Sequence, residues 1–89
     1  MSKVAKILNS VLSGTSDTNL AFNDLRSLLI KLGFNERIKG SHRIFWRDDI
    51  PEIINIQPNG SEAKAYQVKQ VREIILRYHL ADQLDGTNE

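Results

Sequence analysis

Residues 39–45 read Lys-Gly-Ser-His-Arg-Ile-Phe and combine a glycine turn, a histidine and the start of an apolar strand pattern. Glycine suits a tight turn, and the branched and aromatic residues that follow favour a strand. The segment therefore predicts a β-hairpin whose second strand begins at His42. Histidine can take or give a proton near neutral pH, although a histidine after a glycine turn often has only a structural part.

The residues around this hairpin predict three antiparallel strands joined by short turns. Alternating or branched residues mark the strands, whereas paired aspartates and a proline mark a turn. We expect strands at 34–38, 42–47 and 53–57, a turn at 48–52 and a closing turn at 58–60. In the second strand His42, Ile44 and Trp46 share one side and Phe45 takes the other, so this pattern leaves open which side is buried.

Three amphipathic helices flank the strands, because apolar residues recur at the spacing of one helix face. They are predicted at 3–13, ended by Gly14; at about 22–32, with Asn23 as N-cap and Gly33 as the stop; and at about 66–79. The order predicts an α+β domain in which two helices cover one face of a three-stranded antiparallel sheet and leave the other face open.

The chain divides into three segments by composition. Residues 1–19 hold an amphipathic helix and a polar linker, residues 20–81 form the main domain, and residues 82–89 are expected to be a flexible polar tail. Two interpretations of the N-terminal helix stay open. It either packs on the core of its own domain or contacts a partner or a second copy.

Length and composition limit the function classes. With 89 residues, 40% of them apolar and 26% charged, the chain has room for one small globular core. The absence of cysteine excludes a disulfide framework, a thiolate nucleophile and a cysteine zinc site. No apolar run approaches the length of a membrane span, and Lys6, Asn9 and Ser10 interrupt the first apolar residues, so we expect a cytoplasmic protein without membrane association.

Metal and serine-triad chemistry are poorly supported by the spacing of the polar residues. His42 and His79 are separated by a predicted helix, and the paired aspartates at 48 and 49 show no recurring ligand spacing. Ser41 and His42 are neighbours, and neighbours on a strand point to opposite faces. We therefore expect Ser41 to cap the turn and expect no metal and no cofactor.

A single histidine among cations suits a phosphodiester substrate. From 22 to 80 the chain has ten basic and seven acidic residues, which is a mild positive bias. In RNA the 2′-hydroxyl is an internal nucleophile, so a protein has to remove one proton and stabilise added negative charge. The candidates for phosphate contact are Lys39, Arg43, Arg37 and Lys69, although each could equally be an ordinary solvated cation.

Three stretches together resemble one known family. They are Leu28-Leu29-x-x-Leu32-Gly33-Phe34 followed by Arg37, then residues 39–45, and then Tyr66-Gln67-Val68-Lys69-Gln70-Val71-Arg72-Glu73-Ile74-Ile75. From Phe22 to about Leu80 the chain resembles the HicA (YcfA-like) toxins. The resemblance implies a fold like that of double-stranded-RNA-binding domains and a toxin that stops translation by cutting mRNA. It also implies that His42 is catalytic, that Gly40 and Ser41 shape its turn, and that a HicB antitoxin is the partner.

Our leading hypothesis is therefore a metal-independent endoribonuclease toxin in which His42 is the general base or acid. One alternative is a non-catalytic RNA-binding module of the same fold, in which His42 is one polar contact among several. Another is an interaction protein whose N-terminal helix mediates assembly.

Overall fold

The computed structural model describes residues 3–85, apart from the side chains of residues 83 and 85; it has the predicted α+β class, and its main helices and strands follow the predicted order. Its elements are α1 (Lys3–Ser13), α2 (Phe22–Lys31), β1 (Asn35–Lys39), β2 (His42–Arg47), β3 (Ile50–Ile56), β4 (Pro58–Asn59), β5 (Glu62–Ala63), α3 (Ala65–Arg77) and α4 (Ala81–Asp85). The first three strands form an antiparallel sheet in the order β1-β2-β3, and β4 pairs with β5 in a separate small hairpin.

The predicted hairpin between β1 and β2 has the shortest common loop. Lys39 pairs with His42, so Gly40 and Ser41 alone connect the strands. Gly40 has a φ of 61°, as primed two-residue turns require at their first position. Glycine reaches this backbone conformation without steric cost, so the turn fixes where β2 begins.

Pairing and burial decide which side of β2 faces the core. Phe45 pairs with Ile54, and both side chains are fully buried. Ile44 pairs instead with Asn55, which is exposed. The register shifts between Phe45 and Arg47, but the alternation within β2 is kept. His42, Ile44 and Trp46 therefore lie on the open face of the sheet.

Helix α2 ends as its glycine predicts, but its N-cap lies two residues earlier than expected. Gly33 N–H donates to the carbonyl of Ile30 at 3.0 Å, and Phe34 N–H donates to Leu29 at 3.1 Å, which is the Schellman arrangement. The predicted cap at Asn23 is wrong, because Ala21 is the N-cap and makes no side-chain capping bond. Ala21 also bridges to Glu62 of β5, which ties the chain down just before α2.

Helix α1 packs on the core of its own domain. Ile7, Leu8 and Val11 are buried within the same cluster as the apolar stripes of α2 and α3. Arg72 of α3 donates to the carbonyl of Val11 at 3.0 Å and bonds the carboxylate of Asp17 at 3.0 Å. The structure therefore agrees with the first interpretation of this helix, in which it packs on the core of its own domain.

Three boundaries differ most from the prediction. Residues 50–52, expected in a turn, belong to β3, where Pro51 is accommodated because β3 is an edge strand. Residues 58–60, expected as a closing turn, belong to the β4–β5 hairpin. The tail predicted at 82–89 is helical at Ala81–Asp85, since Leu80 is buried and Leu84 packs on the core, and residues 86–89 lie outside the described part.

Candidate functional site

His42 is the first residue of β2 and is held by a neighbour on β3. Its Nδ1 lies 2.9 Å from Oδ1 of Asn55. As the amide is oriented, Nδ1–H donates to this oxygen, which assigns the neutral imidazole the tautomer with an unprotonated Nε2. The ring is therefore fixed from one side and offers a proton acceptor from the other.

Two cations share the open face with His42. Lys39 pairs directly with His42 across the β1–β2 ladder, and Arg37 pairs with Ile44. Both side chains are exposed, and within residues 3–85 neither has a carboxylate partner. The other arginines each have one: Arg26 and Arg43 with Glu36, Arg47 with Asp49, Arg72 with Asp17, and Arg77 with Glu52. Arg37 and Lys39 are thus available to an anionic ligand.

Arg43, the third strand cation expected to contact phosphate, lies on the opposite face. It shares the face of Phe45, since alternate strand residues point to the same side. Its Nη1 lies 3.1 Å from Oε2 of Glu36, and its guanidinium lies 6.0 Å from the centre of the Phe22 ring. The structure therefore separates Arg43 from His42 by the thickness of the sheet.

Lys69 is exposed on α3, and within residues 3–85 it has no bond to the residues around His42. Lys64, by contrast, reaches the hairpin turn indirectly. Its Nζ lies 3.5 Å from Oε1 of Gln57, whose Nε2 donates to Oγ of Ser41 at 3.3 Å. Ser41 is therefore held at the turn by a side chain that follows β3.

Gln67 is the residue that the sequence interpretation missed. It is only 2% exposed and bonds the free edge of β3 on both sides of Ile56. Its Oε1 accepts from Gln57 N–H, and its Nε2 donates to the carbonyl of Asn55, both at 3.3 Å. The signal was its position four residues before Val71 on the buried stripe of α3, where a polar residue needs internal partners. Gln67 therefore holds the backbone of Asn55, the residue that orients His42.

Glu36 forms an ion-pair cluster on the covered face. Its carboxylate is 2.5 Å from Nε of Arg26 and 3.1 Å from Arg43. The hydrogen bond from Arg26, assisted by Arg43, lowers the pKa of Glu36 below its ordinary value despite partial burial. The same bond raises the pKa of Arg26. This cluster joins α2 to β1 and β2 and does not face His42.

Two wider features of the described residues bear on the class of site. Within 3–85, no three histidine, aspartate or glutamate side chains are grouped as metal ligands would be. No helix in this range has the length and apolar character needed to cross a membrane.

A family model described as "HicA toxin of bacterial toxin-antitoxin" matches residues 22–77, which is more than half of the chain. The chain belongs to the HicA toxin family. The HicA match begins where α2 begins and ends where α3 ends, so the His42 site lies inside it and α1 and α4 lie outside. No individual curated protein and no solved structure gives a significant match. As a HicA toxin, the protein is one half of a toxin-antitoxin pair.

Proposed function

We propose that this HicA toxin is an endoribonuclease that cleaves mRNA in the cytoplasm, with His42 as its catalytic residue. One observation carries the proposal. His42 is oriented by Asn55 with Nε2 directed away from that bond, on the open face and directly across from Lys39. A positioned base beside an unpaired cation is the minimum that transfer within a phosphodiester needs.

The reaction uses the nucleophile that RNA itself carries. His42 Nε2 takes the proton of the 2′-hydroxyl, and the resulting oxygen attacks the adjacent phosphorus. The bond from phosphorus to the 5′-oxygen breaks, and that oxygen takes a proton from water. The imidazolium of His42 passes its own proton to the hydroxide so formed, which restores the base. The products are a 2′,3′-cyclic phosphate and a 5′-hydroxyl end. No step in this sequence needs a metal ion.

Lys39 and Arg37 supply the positive charge in this proposal. As the 2′-oxygen attacks, negative charge builds on the non-bridging phosphate oxygens, and cations already in place stabilise it most where water is partly excluded. Lys39 pairs across from His42, which supports its proposed contact with the phosphate that is cleaved. Arg37 lies further along β1, and Lys69 remains a proposed contact for RNA beyond the cleaved bond.

Family membership implies an antitoxin partner, and we propose one of the HicB type. Full control of an endoribonuclease requires that RNA be kept from His42. The antitoxin therefore has to keep RNA away from the open face of the toxin, for example by covering that face.

The test is cleavage of a labelled single-stranded RNA by purified protein in the presence of a metal chelator. Wild type is expected to shorten the RNA and leave cyclic phosphate ends, whereas His42→Ala binds the RNA without cutting it. The matched control is His79→Asn, which changes the other histidine at the end of α3 and keeps a residue that tolerates its φ of 55°. Equal cleavage by wild type and His42→Ala would contradict the assignment. Retarded but uncut RNA with wild type would favour the non-catalytic RNA-binding module.

A further inference from the structure

The open face of the sheet has a sorted set of side chains. By register and alternation it carries Asn35, Arg37 and Lys39 of β1, His42, Ile44 and Trp46 of β2, and Ile53 and Asn55 of β3. None of these is acidic. The acidic strand residues Glu36 and Glu52 bond instead to arginines on the helical side. The open face is therefore cationic and free of carboxylates among these strand positions.

Trp46 gives this face an aromatic surface. It is only partly buried, although Phe45 beside it is fully buried. Ile44 precedes it by two residues on the same face, and Ile53, which is 62% exposed, belongs to the β3 segment opposite it. The open face of a two-layer domain is normally polar, so large apolar side chains left there indicate a contact surface.

This aromatic surface is continuous with the His42 site. His42 and Trp46 are four residues apart on one strand and one face, which places them about 13 Å apart along β2. Asn35, Arg37 and Lys39 run beside them on β1, paired with Trp46, Ile44 and His42. A chain of phosphates following β1 would therefore bring its bases over β2.

We propose that Trp46 is a stacking platform for a base of single-stranded RNA, a few nucleotides from the bond that His42 cleaves. The inference rests on the proposed function and names the form of its substrate. Cations along a strand with an aromatic side chain between apolar neighbours are the combination that binds single strands, because every base has a face that can stack. A protein partner carries both carboxylates and cations and could pair with a surface of either charge. It would therefore not require a face that has cations and no carboxylates.

The protein contains one tryptophan, so fluorescence excited at a wavelength that the two tyrosines do not absorb reports on Trp46 alone. His42→Ala is titrated with a short single-stranded RNA, and a label on the RNA measures binding independently by anisotropy. We expect the tryptophan emission to be quenched in step with binding. A fully paired duplex of the same length, whose bases cannot reach the ring, is expected to quench far less.

Substitutions give a second readout. Trp46→Leu, which keeps an apolar side chain without a ring, is expected to weaken the affinity for single-stranded RNA roughly tenfold or more, whereas Trp46→Phe keeps most of it. Unchanged Trp46 emission while RNA binds would overturn the proposal, as would equal affinities of His42→Ala and the double variant His42→Ala/Trp46→Leu. Neither result affects cleavage by His42. Failure of the proposed function is distinguishable, because wild type would then leave RNA uncut whatever Trp46 does.

Discussion

His42 and Asn55 are joined diagonally across the β2–β3 ladder, with Nδ1 of the imidazole 2.9 Å from Oδ1 of the carboxamide. Asn55 pairs with Ile44, two residues along β2 from His42. Its carbonyl in turn accepts from the buried side chain of Gln67. The orientation of the proposed catalytic ring is therefore set by two strands and a helix, not by a mobile loop.

Asn55→Ala is expected to lower kcat for RNA cleavage roughly tenfold or more with little change in KM, because it removes the bond that fixes the ring and its tautomer. Asn55→Asp is the more specific variant. A carboxylate beside Nδ1 stabilises the imidazolium, so the acid limb of the pH–rate profile is expected to move to higher pH. The profiles are measured with one labelled RNA. A wild-type kcat and profile for both variants would contradict a positioning role.

Lys39 and Arg43 are suited to a comparison of variants, since both lie near His42 in sequence but on opposite faces of the sheet. Lys39→Ala is expected to weaken RNA binding and to reduce the slope of log affinity against log salt by roughly 0.7, the value for one phosphate contact on a single strand. Arg43→Ala is expected to keep this slope and lose stability, because it breaks the pair with Glu36. A smaller slope for Arg43→Ala than for Lys39→Ala would reverse our placement of the phosphate.

The ion pairs of Glu36 with Arg26 and Arg43 are expected to make the stability of the protein fall in acid. Its folded-state pKa lies below the ordinary 4.5 mainly because of Arg26, so its contribution is fully present above that value and disappears as pH falls through the lowered folded value. Glu36→Gln is expected to reduce the free energy of unfolding by about 1–3 kcal/mol at pH 7. The difference from wild type should shrink below about pH 4.5.

Urea denaturation at pH 7 and at a series of acidic values measures this difference. The control is Glu73→Gln on the exposed side of α3, for which we expect almost no change at any pH. A constant difference between wild type and Glu36→Gln over the whole pH range would show that the charge of Glu36 is not what stabilises the cluster.

Helix α1 lies outside the family match but is expected to be indispensable for stability. Val11 is fully buried, so Val11→Ala should cost about 2 kcal/mol of unfolding free energy through lost burial and the cavity left behind. Val4→Ala removes the same groups from the partly buried start of the helix and should cost much less. If urea denaturation gives a loss of unfolding free energy for Val11→Ala as small as that for Val4→Ala, α1 packs only loosely on the core.

Helices were largely predictable from the sequence because their apolar stripes are regular. The apolar stripe of the helix predicted at 22–32 is fully buried, namely Leu25, Leu28, Leu29 and Leu32, and Gly33 ends α2 as expected. Asn23 misled because capping preference is a local rule. The bridge from Ala21 to Glu62 is a contact between distant parts of the chain, and it fixed where the helix begins.

The surroundings of His42 were only partly predictable. Its side of β2 could not be chosen from β2 alone, since Ile44, Phe45 and Trp46 are all large. The alternation of Ile54 and Asn55 on the neighbouring strand indicates which side of β2 is buried, but only once the register of β2 against β3 is known. The partners of Arg43 and the burial of Gln67 likewise depend on how the helices sit on the sheet, which no local pattern encodes.

The bond from Arg72 to the carbonyl of Val11 joins residues 61 positions apart. During synthesis α1 emerges from the ribosome before α3, and the surface that buries it is complete only when α3 has also emerged. A contact this distant in sequence forms slowly, because the chain between its ends must first be ordered. The apolar stripe of α1 can therefore pack on α2 first, but it stays partly uncovered until α3 has also been made.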